Sequence, residues 1–346
     1  MPRPDEITER PTAPAERAVP VEADPDVVVS EFCLYEGLRL LREAGRVEYD
    51  PALGRNPLRL YTRLKRATAL LVRNQTQVTE ALLSAAPNLK VVGRLGAGLD
   101  NIDVEACARS GVRVVYAPGA NAVAVAEMTL ALALALAKDL PAAVRLGRAG
   151  AWSRAGYRAW ELEGKTWGIL GLGAVGREVA KRAAAIGMCV ISHHPRRPPD
   201  HPDWARFGVR PVSRLELLEK SDILSIHLPL TGETRFTIGR RELSCMKPSA
   251  LLINTARGGV VDEDALAEAL ARGRLAGAAL DVRQTEPPAP GDRLQTLENV
   301  ILTPHLAGLT EEAQRRVCTG VAEDVLRVLK GVEPLMAWDS GSRPAS

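Results

Sequence analysis

The stretch Thr166-Trp167-Gly168-Ile169-Leu170-Gly171-Leu172-Gly173-Ala174-Val175-Gly176 decides the fold of this chain. Its first five residues are typical of a buried strand, and three glycines follow at the spacing Gly-x-Gly-x-x-Gly. The first glycine permits a tight turn, the second lets a pyrophosphate approach the backbone, and the third lets helix and strand pack closely. Free N–H groups at the start of the next helix would bind the phosphates. We therefore predict a strand–loop–helix unit that binds a dinucleotide.

Short apolar runs alternate with helix-forming segments on both sides of this unit. Before it, the strand candidates are residues 27–29, 69–72, 90–93 and 112–115; after it, they are 188–192, 223–227, 250–254, 278–282 and 300–303. Strands that alternate with helices predict parallel sheets. We therefore predict an α/β fold with two doubly wound parallel-sheet domains, of which the second is a Rossmann dinucleotide-binding domain.

Two helical segments predict how the domains connect. A long Ala-Leu helix over about 121–145 is expected to leave the first sheet, and a helix over 311–330 to return to it. The predicted domains are a discontinuous substrate domain (27–120 with 306–335) and a Rossmann domain (121–305). Residues 1–26 are predicted to be a disordered extension and residues 336–346 a flexible tail. The wide apolar surface of the long helix predicts a homodimer.

Composition excludes several classes of protein. The 346 residues carry 45 Lys plus Arg against 42 Asp plus Glu, a net charge of +3, which predicts no general affinity for nucleic acid or membrane. The five cysteines are scattered without a Cys-x-x-Cys, as in a reduced, cytoplasmic protein. The most apolar run, residues 122–137, contains Glu127 and is shorter than the roughly 20 residues of a membrane span. The histidines show no metal-binding spacing.

Three polar segments each follow a strand of the second block. They are residues 254–259, 281–287 and 303–308, and they contain Arg257, Glu286 and His305 respectively. Because ligands bind beyond the carboxyl ends of parallel strands, these side chains are expected at the mouth of the dinucleotide crevice. Reduction of a 2-oxo acid needs a cation for the carboxylate and carbonyl, a proton donor, and an acid that orients the donor.

The residues after the second strand of the Rossmann block bear on the coenzyme. An Asp or Glu about 20 residues after the glycine loop normally binds the ribose 2′-hydroxyl of NAD. This chain has His194, Pro195, Arg196 and Arg197 there, and the two arginines suit a 2′-phosphate. We predict an NAD(P) cofactor with NADP slightly favoured, and a protonated His194 would strengthen that preference towards pH 6. The alternative is that both arginines belong to a solvated basic turn.

These segments, together with Gly96-Ala97-Gly98-Leu99-Asp100-Asn101-Ile102-Asp103, resemble the D-isomer-specific 2-hydroxyacid dehydrogenase family over roughly residues 27–335. Within it the similarity is closest to D-3-phosphoglycerate dehydrogenases and their relatives, through residues 72–76, 100–103 and 254–263. The resemblance implies that His305 is the general acid/base, that Glu286 hydrogen-bonds to it, and that Arg257 binds the substrate carboxylate and polarises its carbonyl.

The resemblance also implies the remaining binding residues. For the substrate they are Arg73, Ala97 and Gly98; for the cofactor they are Gly171, Gly173, Ala174, Val175, Gly176, His194, Arg196, Arg197, Leu228, Thr255, Ala256, Asp281 and Gly308. Two positions depart from the family pattern, since His194 replaces the usual Asp and Ala174 replaces a common Arg. No regulatory domain follows residue 335, so feedback control by serine is not expected.

The resulting functional prediction is an NAD(P)-dependent oxidoreductase that interconverts a small D-2-hydroxy acid and its 2-oxo acid. Candidate oxo acids are 3-phosphohydroxypyruvate, hydroxypyruvate, glyoxylate and sulfopyruvate. A nucleotide-sensing, corepressor-like binding protein and a phosphite dehydrogenase share the same three residues and stay open as alternatives. A formate dehydrogenase is disfavoured because that enzyme has Gln where Glu286 stands.

Overall fold

The computed structural model describes residues 25–152, 156–157 and 159–339. The first sheet has five parallel strands, β1 (Val27–Val29), β2 (Val47–Tyr49), β3 (Ala69–Val72), β4 (Val91–Arg94) and β5 (Arg113–Val115), in the order β2-β1-β3-β4-β5. The helices between these strands are α1 (Tyr35–Leu41), α2 (Pro57–Leu64), α3 (Glu80–Ala85) and α4 (Val104–Arg109).

The second sheet has seven parallel strands. They are β6 (Thr166–Leu170), β7 (Cys189–His193), β8 (Arg210–Pro211), β9 (Ile223–Ile226), β10 (Leu251–Asn254), β11 (Gly277–Leu280) and β12 (Val300–Leu302). Their order is β12-β11-β10-β9-β6-β7-β8, so the winding direction reverses between β6 and β9. Such a reversal opens a crevice at the carboxyl ends of the strands, where nucleotides bind. The predicted fold of two doubly wound parallel-sheet domains, the second of Rossmann type, is confirmed.

Eight further helices accompany the second sheet or follow it in the described chain. They are α5 (Ala122–Ala137), α6 (Leu140–Arg148), α7 (Ala174–Ala185), α8 (Asp203–Arg206), α9 (Arg214–Lys220), α10 (Arg240–Cys245), α11 (Glu263–Ala271) and α12 (Glu311–Leu329). Several helices begin at a side chain that accepts a backbone N–H. Asp262 does so for α11 and Thr310 for α12, which are the residue types preferred at this position.

Sequence periodicity locates the central strands and misses two edge strands. Every strand candidate overlaps an observed strand, but β2 and β8 were not predicted. Strand β2 is only partly buried, and β8 has two residues, one of which is Pro211. Edge strands need not be apolar on both faces, and they tolerate proline, so neither carries a strong pattern.

The predicted single helix over 121–145 is wrong, because the structure has two helices there. Helix α5 ends at Ala137, and Asp139 adopts a left-handed φ of 42° before α6 begins. Pro141 lies in the first turn of α6, where its missing N–H costs nothing. Eight of the sixteen residues of α5 are buried, whereas α6 buries none, so the two helices meet different surroundings.

Helix α12 returns from the second sheet and packs on the first. Gly93 of β4 makes this approach possible, since a Cβ there would lie 2.9 Å from side-chain carbons of both Val321 and Val325. The apolar face of α12 joins the core that β1 and β3 form on this side of the sheet. We infer that 27–120 and a C-terminal segment containing α12 form one discontinuous substrate domain around a separate domain that contains β6–β12.

The ordered chain extends beyond the boundary expected for a flexible tail. Ala337 forms an antiparallel bridge with Val115 of β5, and the N–H of Trp338 donates to the carbonyl of Val114 at 2.8 Å. A flexible tail from residue 336 is therefore wrong for these residues. Residues 1–24 of the predicted extension and 340–346 of the predicted tail lie outside the described residues. Among the described residues, none of the helices has both the length and the apolarity needed to traverse a bilayer.

We expect α6 and the chain after it to form a homodimer interface. Leu140, Val144 and Leu146 of α6 are 46%, 49% and 40% exposed, and Trp152 beyond it is 88% exposed. Leu140 and Val144 lie one turn apart on the same face of α6, and exposed large apolar side chains that share a face favour an interaction surface. Wild type should sediment as a dimer at micromolar concentration. The double variant Val144→Asp/Trp152→Ser should raise the dissociation constant roughly 30-fold or more, because losing a central anchor costs about 2 kcal/mol or more.

The isolated exposed leucine Leu58, which is 81% exposed on α2, provides the matched control. Leu58→Ser should leave the sedimentation profile unchanged. A monomeric wild type, or an equally tight dimer in the double variant, would contradict the assignment.

Candidate active site

A cavity of about 350 Å³ lies where the carboxyl ends of the two sheets face each other. The turns after β3 and β4 line it from the first domain. The glycine loop and the segments after β9, β10, β11 and β12 line it from the second. The topology therefore gathers at one cavity polar residues that are far apart in the sequence.

The glycine loop has the geometry of a phosphate cradle. Gly171 has a φ of 99°, and a Cβ there would lie 2.8 Å from the carbonyl oxygen of His227. A Cβ on Gly176 would lie 2.2 Å from the carbonyl oxygen of Gly171, so only glycine allows α7 to start this close to β6. Gly173, which precedes α7, provides no side-chain cap, and the helix N-terminus faces the cavity. These residues fit the pyrophosphate of a dinucleotide.

His305 and Glu286 form a hydrogen-bonded pair. The distance between His305 Nδ1 and Glu286 Oε2 is 2.7 Å, and Glu286 Oε1 accepts the backbone N–H of Arg283 at 2.9 Å. Burial alone would raise the pKa of Glu286, but the bonds from His305 and Arg283 outweigh burial and lower it. An ionised Glu286 requires a proton on Nδ1, so Nε2 is the ring nitrogen that can exchange a proton with a ligand.

A buried carboxylate, that of Asp281, holds the loop that carries His305. Asp281 accepts the hydroxyl of Thr303 at 2.5 Å and the backbone N–H groups of Leu306 and Ala307 at 2.8 Å each. His305 itself adopts a left-handed φ of 57°, which is unfavourable for a residue with a side chain. The bonds to Asp281 offset that strain, and strain of this kind is concentrated at functional positions.

Arg257 reaches the cavity from the second domain and binds Asp100 of the first. Its Nε and Nη2 lie 3.1 Å and 2.9 Å from Asp100 Oδ2, and its Nη1 donates to the carbonyl of Ala256 at 2.8 Å. A Cβ on Gly98 would lie 2.0 Å from Arg257 Nη2, so the arginine packs directly against the backbone of that loop. Burial tends to raise the pKa of Asp100, but Arg257 lowers it.

Two more arginines, both from the first domain, line one end of the cavity. Arg73 follows β3, and Arg94 is the last residue of β4. Burial, and then the positive charge of Arg257, lower the pKa of Arg94 to about 10. Its buried Nε has no hydrogen-bond partner within the described ranges. This part of the cavity is therefore cationic and suited to an anion.

The structure brings most of the predicted site residues to one cavity. Its wall includes Arg73, Ala97, Gly173, Ala174, Val175, Leu228, Thr255, Ala256, Arg257, Asp281, His305 and Gly308. Other predicted residues do not line it. Glu286 lies behind His305, Gly98 lies against Arg257, Gly171 and Gly176 shape the loop, and His194, Arg196 and Arg197 follow β7.

The predicted protonation of His194 near pH 6 is wrong. Its ring is buried, and burial followed by the charges of Arg197 and Arg196 lowers its pKa to about 4. Its Nδ1 accepts the backbone N–H of Arg196 at 3.2 Å, which requires a neutral ring. The two arginines also differ, because Arg197 is bound to Asp203 and largely covered whereas Arg196 is half exposed.

Sequence reasoning missed Arg94, Asp100 and Gln314 as parts of the site. Arg94 ends a strand, so the rule that ligands bind at strand ends could have identified it. Asp100 lies within the glycine-rich segment 96–103 but carried no assigned role. Gln314 accepts a hydrogen bond from Arg73 out of helix α12, a contact with no signal in the sequence. Across the described part of the chain, no group of three His, Cys, Asp or Glu side chains could hold a metal ion.

Comparison with known proteins agrees with this geometry. The family model described as the D-isomer specific 2-hydroxyacid dehydrogenase NAD binding domain matches residues 130–307. The D-3-phosphoglycerate dehydrogenase of Methanocaldococcus jannaschii is 43% identical over 306 residues, which are 88% of this chain and 57% of that protein. The (S)-sulfolactate dehydrogenase of Chromohalobacter salexigens is 41% identical over 305 residues, covering 88% of this chain and 98% of that protein.

A solved structure shows the same architecture. The TT0316 protein from Thermus thermophilus superposes with a TM-score of 0.84 at 37% identity, covering 90% of this chain and 99% of that one. The chain spans about half the length of the D-3-phosphoglycerate dehydrogenases it matches, and nearly all of the sulfolactate dehydrogenase. With a matching NAD-binding domain, relatives 43% and 41% identical over 88% of this chain, and the same two-domain fold, the chain belongs to the D-isomer-specific 2-hydroxyacid dehydrogenase family.

Proposed function

We propose that the protein is an NAD(P)-dependent oxidoreductase that interconverts a D-2-hydroxy acid and its 2-oxo acid, with His305 as general acid/base. The observation that carries this proposal is that His305, hydrogen-bonded at 2.7 Å to Glu286 behind it, lines one cavity with Arg257 and the start of α7. Reduction of a 2-oxo acid requires a proton donor, an acid that orients this donor, a cation that binds the carboxylate, and a site that binds the dinucleotide.

Each residue has a separate task in the proposed reaction. A reduced nicotinamide dinucleotide, when bound, supplies the hydride. Arg257 and the backbone of the Ala97–Gly98 loop bind the substrate carboxylate, and Arg257 polarises the adjacent carbonyl. His305 donates its Nε2 proton to the carbonyl oxygen in reduction and removes it in oxidation. Glu286 keeps the imidazole in the orientation and protonation state that this transfer needs.

The proposed substrate carries a second anionic group. Arg73 and Arg94 line the part of the cavity beyond Arg257, and Arg94 Nε is buried without a partner in the described chain. A phosphate or sulfonate at the far end of the substrate would satisfy both guanidinium groups. Relatives named for D-3-phosphoglycerate and sulfolactate agree with this chemistry. We therefore propose 3-phosphohydroxypyruvate or sulfopyruvate ahead of hydroxypyruvate or glyoxylate.

The proposed coenzyme preference is for NADP over NAD, through Arg196. No acid stands at position 194 to repel a 2′-phosphate. Arg197 is engaged with Asp203, whereas Arg196 is half exposed and has Glu233 3.7 Å away. Arg196 is thus the residue that can turn towards the ribose.

Replacement of His305 tests the proposed chemistry. Wild type should reduce 3-phosphohydroxypyruvate or sulfopyruvate, and His305→Ala should lower kcat by about 10²–10⁴-fold, the usual contribution of a general acid. Coenzyme affinity, measured by fluorescence titration of the reduced dinucleotide, should stay within about threefold because His305 is not part of the glycine loop that would bind the pyrophosphate. Absence of turnover in wild type with any 2-oxo acid would favour the nucleotide-sensing alternative.

Replacement of Glu286 tests the pair. Glu286→Gln replaces the carboxylate that accepts the Nδ1 proton of His305 by an amide that can donate to Nδ1 and favour the opposite tautomer, so kcat/KM for reduction should fall about tenfold or more. The check is a profile of kcat/KM between pH 5 and pH 9. Asp292→Asn is the matched control, since Asp292 binds Arg283 at 2.8 Å and not His305. Identical profiles for wild type and Glu286→Gln would refute a functional pair.

Single substitutions of the two arginines test coenzyme selection. Arg196→Ala should lower the ratio of kcat/KM for NADPH over NADH about tenfold, which corresponds to about 1.4 kcal/mol. Arg197→Ala should change it less, because Arg197 is bound to Asp203. The preference should stay constant between pH 8 and pH 6, since the pKa of His194 is lowered to about 4. Equal use of both coenzymes by wild type would contradict the proposal.

A further inference from the structure

The turn after β3 presents Arg73 to the cavity, and one buried carboxylate binds every backbone N–H of that turn. Glu31 Oε1 accepts the N–H groups of Arg73 and Thr76 at 2.9 Å each. Glu31 Oε2 accepts those of Asn74 at 3.2 Å and Gln75 at 3.1 Å. Four consecutive N–H groups thus converge on one side chain that does not itself line the cavity.

The carboxylate of Glu31 is ionised in spite of its burial. Its residue is only 3% exposed, and burial alone would raise the pKa of the carboxyl group. The bonds from Thr76, Arg73 and Gln75 outweigh burial and lower that pKa. Successive backbone N–H groups form a concave site that suits an anion, and here the anion belongs to the protein.

Other contacts fix the side chain of Arg73 and the far side of the turn. The guanidinium of Arg73 lies 5.5 Å from the ring centroid of Phe32, the residue after Glu31, and donates to Gln314 of α12. Asn101 Nδ2 donates to the carbonyl of Thr76 at 2.7 Å and closes the turn on its other side. These contacts therefore fix the conformation of both the backbone and the side chain of Arg73.

We infer that Glu31 is a positioning residue for substrate selection: its bonds to the turn at 73–76 set the direction of Arg73 and so favour substrates with a distal anion. This inference rests on the proposed function, because it assumes that Arg73 binds that anion. A stabilising role alone would alter all substrates alike, whereas a positioning role alters the ratio between them.

Glu31→Gln is the decisive substitution. The side-chain amide has nearly the same shape, but its NH2 group would face two N–H donors, and a buried donor without an acceptor is unfavourable. The turn must then rearrange and Arg73 with it. The ratio of kcat/KM for 3-phosphohydroxypyruvate over glyoxylate should fall about tenfold, mainly because 3-phosphohydroxypyruvate is bound with a higher KM.

The chain offers a matched control in Asp324. This carboxylate is also 3% exposed and accepts two consecutive backbone N–H groups, those of Leu335 at 2.7 Å and Met336 at 2.8 Å, but it does not line the cavity. Asp324→Asn should lower the melting temperature and leave the substrate ratio unchanged. If Glu31→Gln yields no folded protein, Glu31→Asp takes its place, and the ratio of kcat/KM for 3-phosphohydroxypyruvate over glyoxylate should then fall about threefold.

Arg73→Gln, measured in parallel, separates the two hypotheses. If Arg73→Gln leaves the ratio unchanged, the distal-anion site is wrong and the inference about Glu31 falls with it. If Arg73→Gln lowers the ratio but Glu31→Gln or its replacement does not, the proposed substrate class stands and the inference alone is overturned. A similar change in Asp324→Asn would also overturn it, because loss of any buried carboxylate would then suffice.

Discussion

Hydrogen bonds from strand-end loops to buried carboxylates are the interaction on which the candidate site depends. Glu31 binds the turn that carries Arg73, and Asp281 binds the loop that carries His305. Loops at the ends of parallel strands have N–H groups without ladder partners, and burying these groups unpaired would be costly. A carboxylate satisfies several at once, and the resulting rigidity places cation and acid within one cavity.

The distribution of charge in the cavity follows from the same scaffold. The buried Glu31 and the Asp100 carboxylate offset part of the charge of Arg73, Arg94 and Arg257, yet Arg94 keeps an unpaired buried Nε in the described structure. A site that is cationic and fixed by backbone hydrogen bonds needs little reorganisation when an anion binds. That preorganisation is what allows electrostatic interactions to contribute to catalysis.

Local sequence patterns determined the fold class of this protein and the strand ends at which its polar residues lie. The glycine loop, the alternation of strands and helices, and the polar residues after β10, β11 and β12 predicted the fold class and placed Arg257, Glu286 and His305 together. The prediction of the fold class is confirmed. Arg257 and His305 line one cavity, with Glu286 behind His305, because parallel strands all end at the same edge of a sheet. The family resemblance then assigned roles that residue types alone leave open.

Tertiary structure decided what depends on distant partners. Pro141 is a helix-breaking signal in the sequence, but only the structure shows that α5 ends at Ala137 and that Asp139 adopts a left-handed conformation before α6. Only the burial of His194 beside Arg196 and Arg197 shows that its pKa is lowered to about 4. Glu31 accepts hydrogen bonds from the turn at 73–76, which lies 42 to 45 residues further along the sequence. Gln314 accepts a hydrogen bond from Arg73, from which it is separated by 241 residues. A pKa and a long-range hydrogen bond depend on which groups surround a side chain, and the sequence by itself does not specify that neighbourhood until the chain has folded.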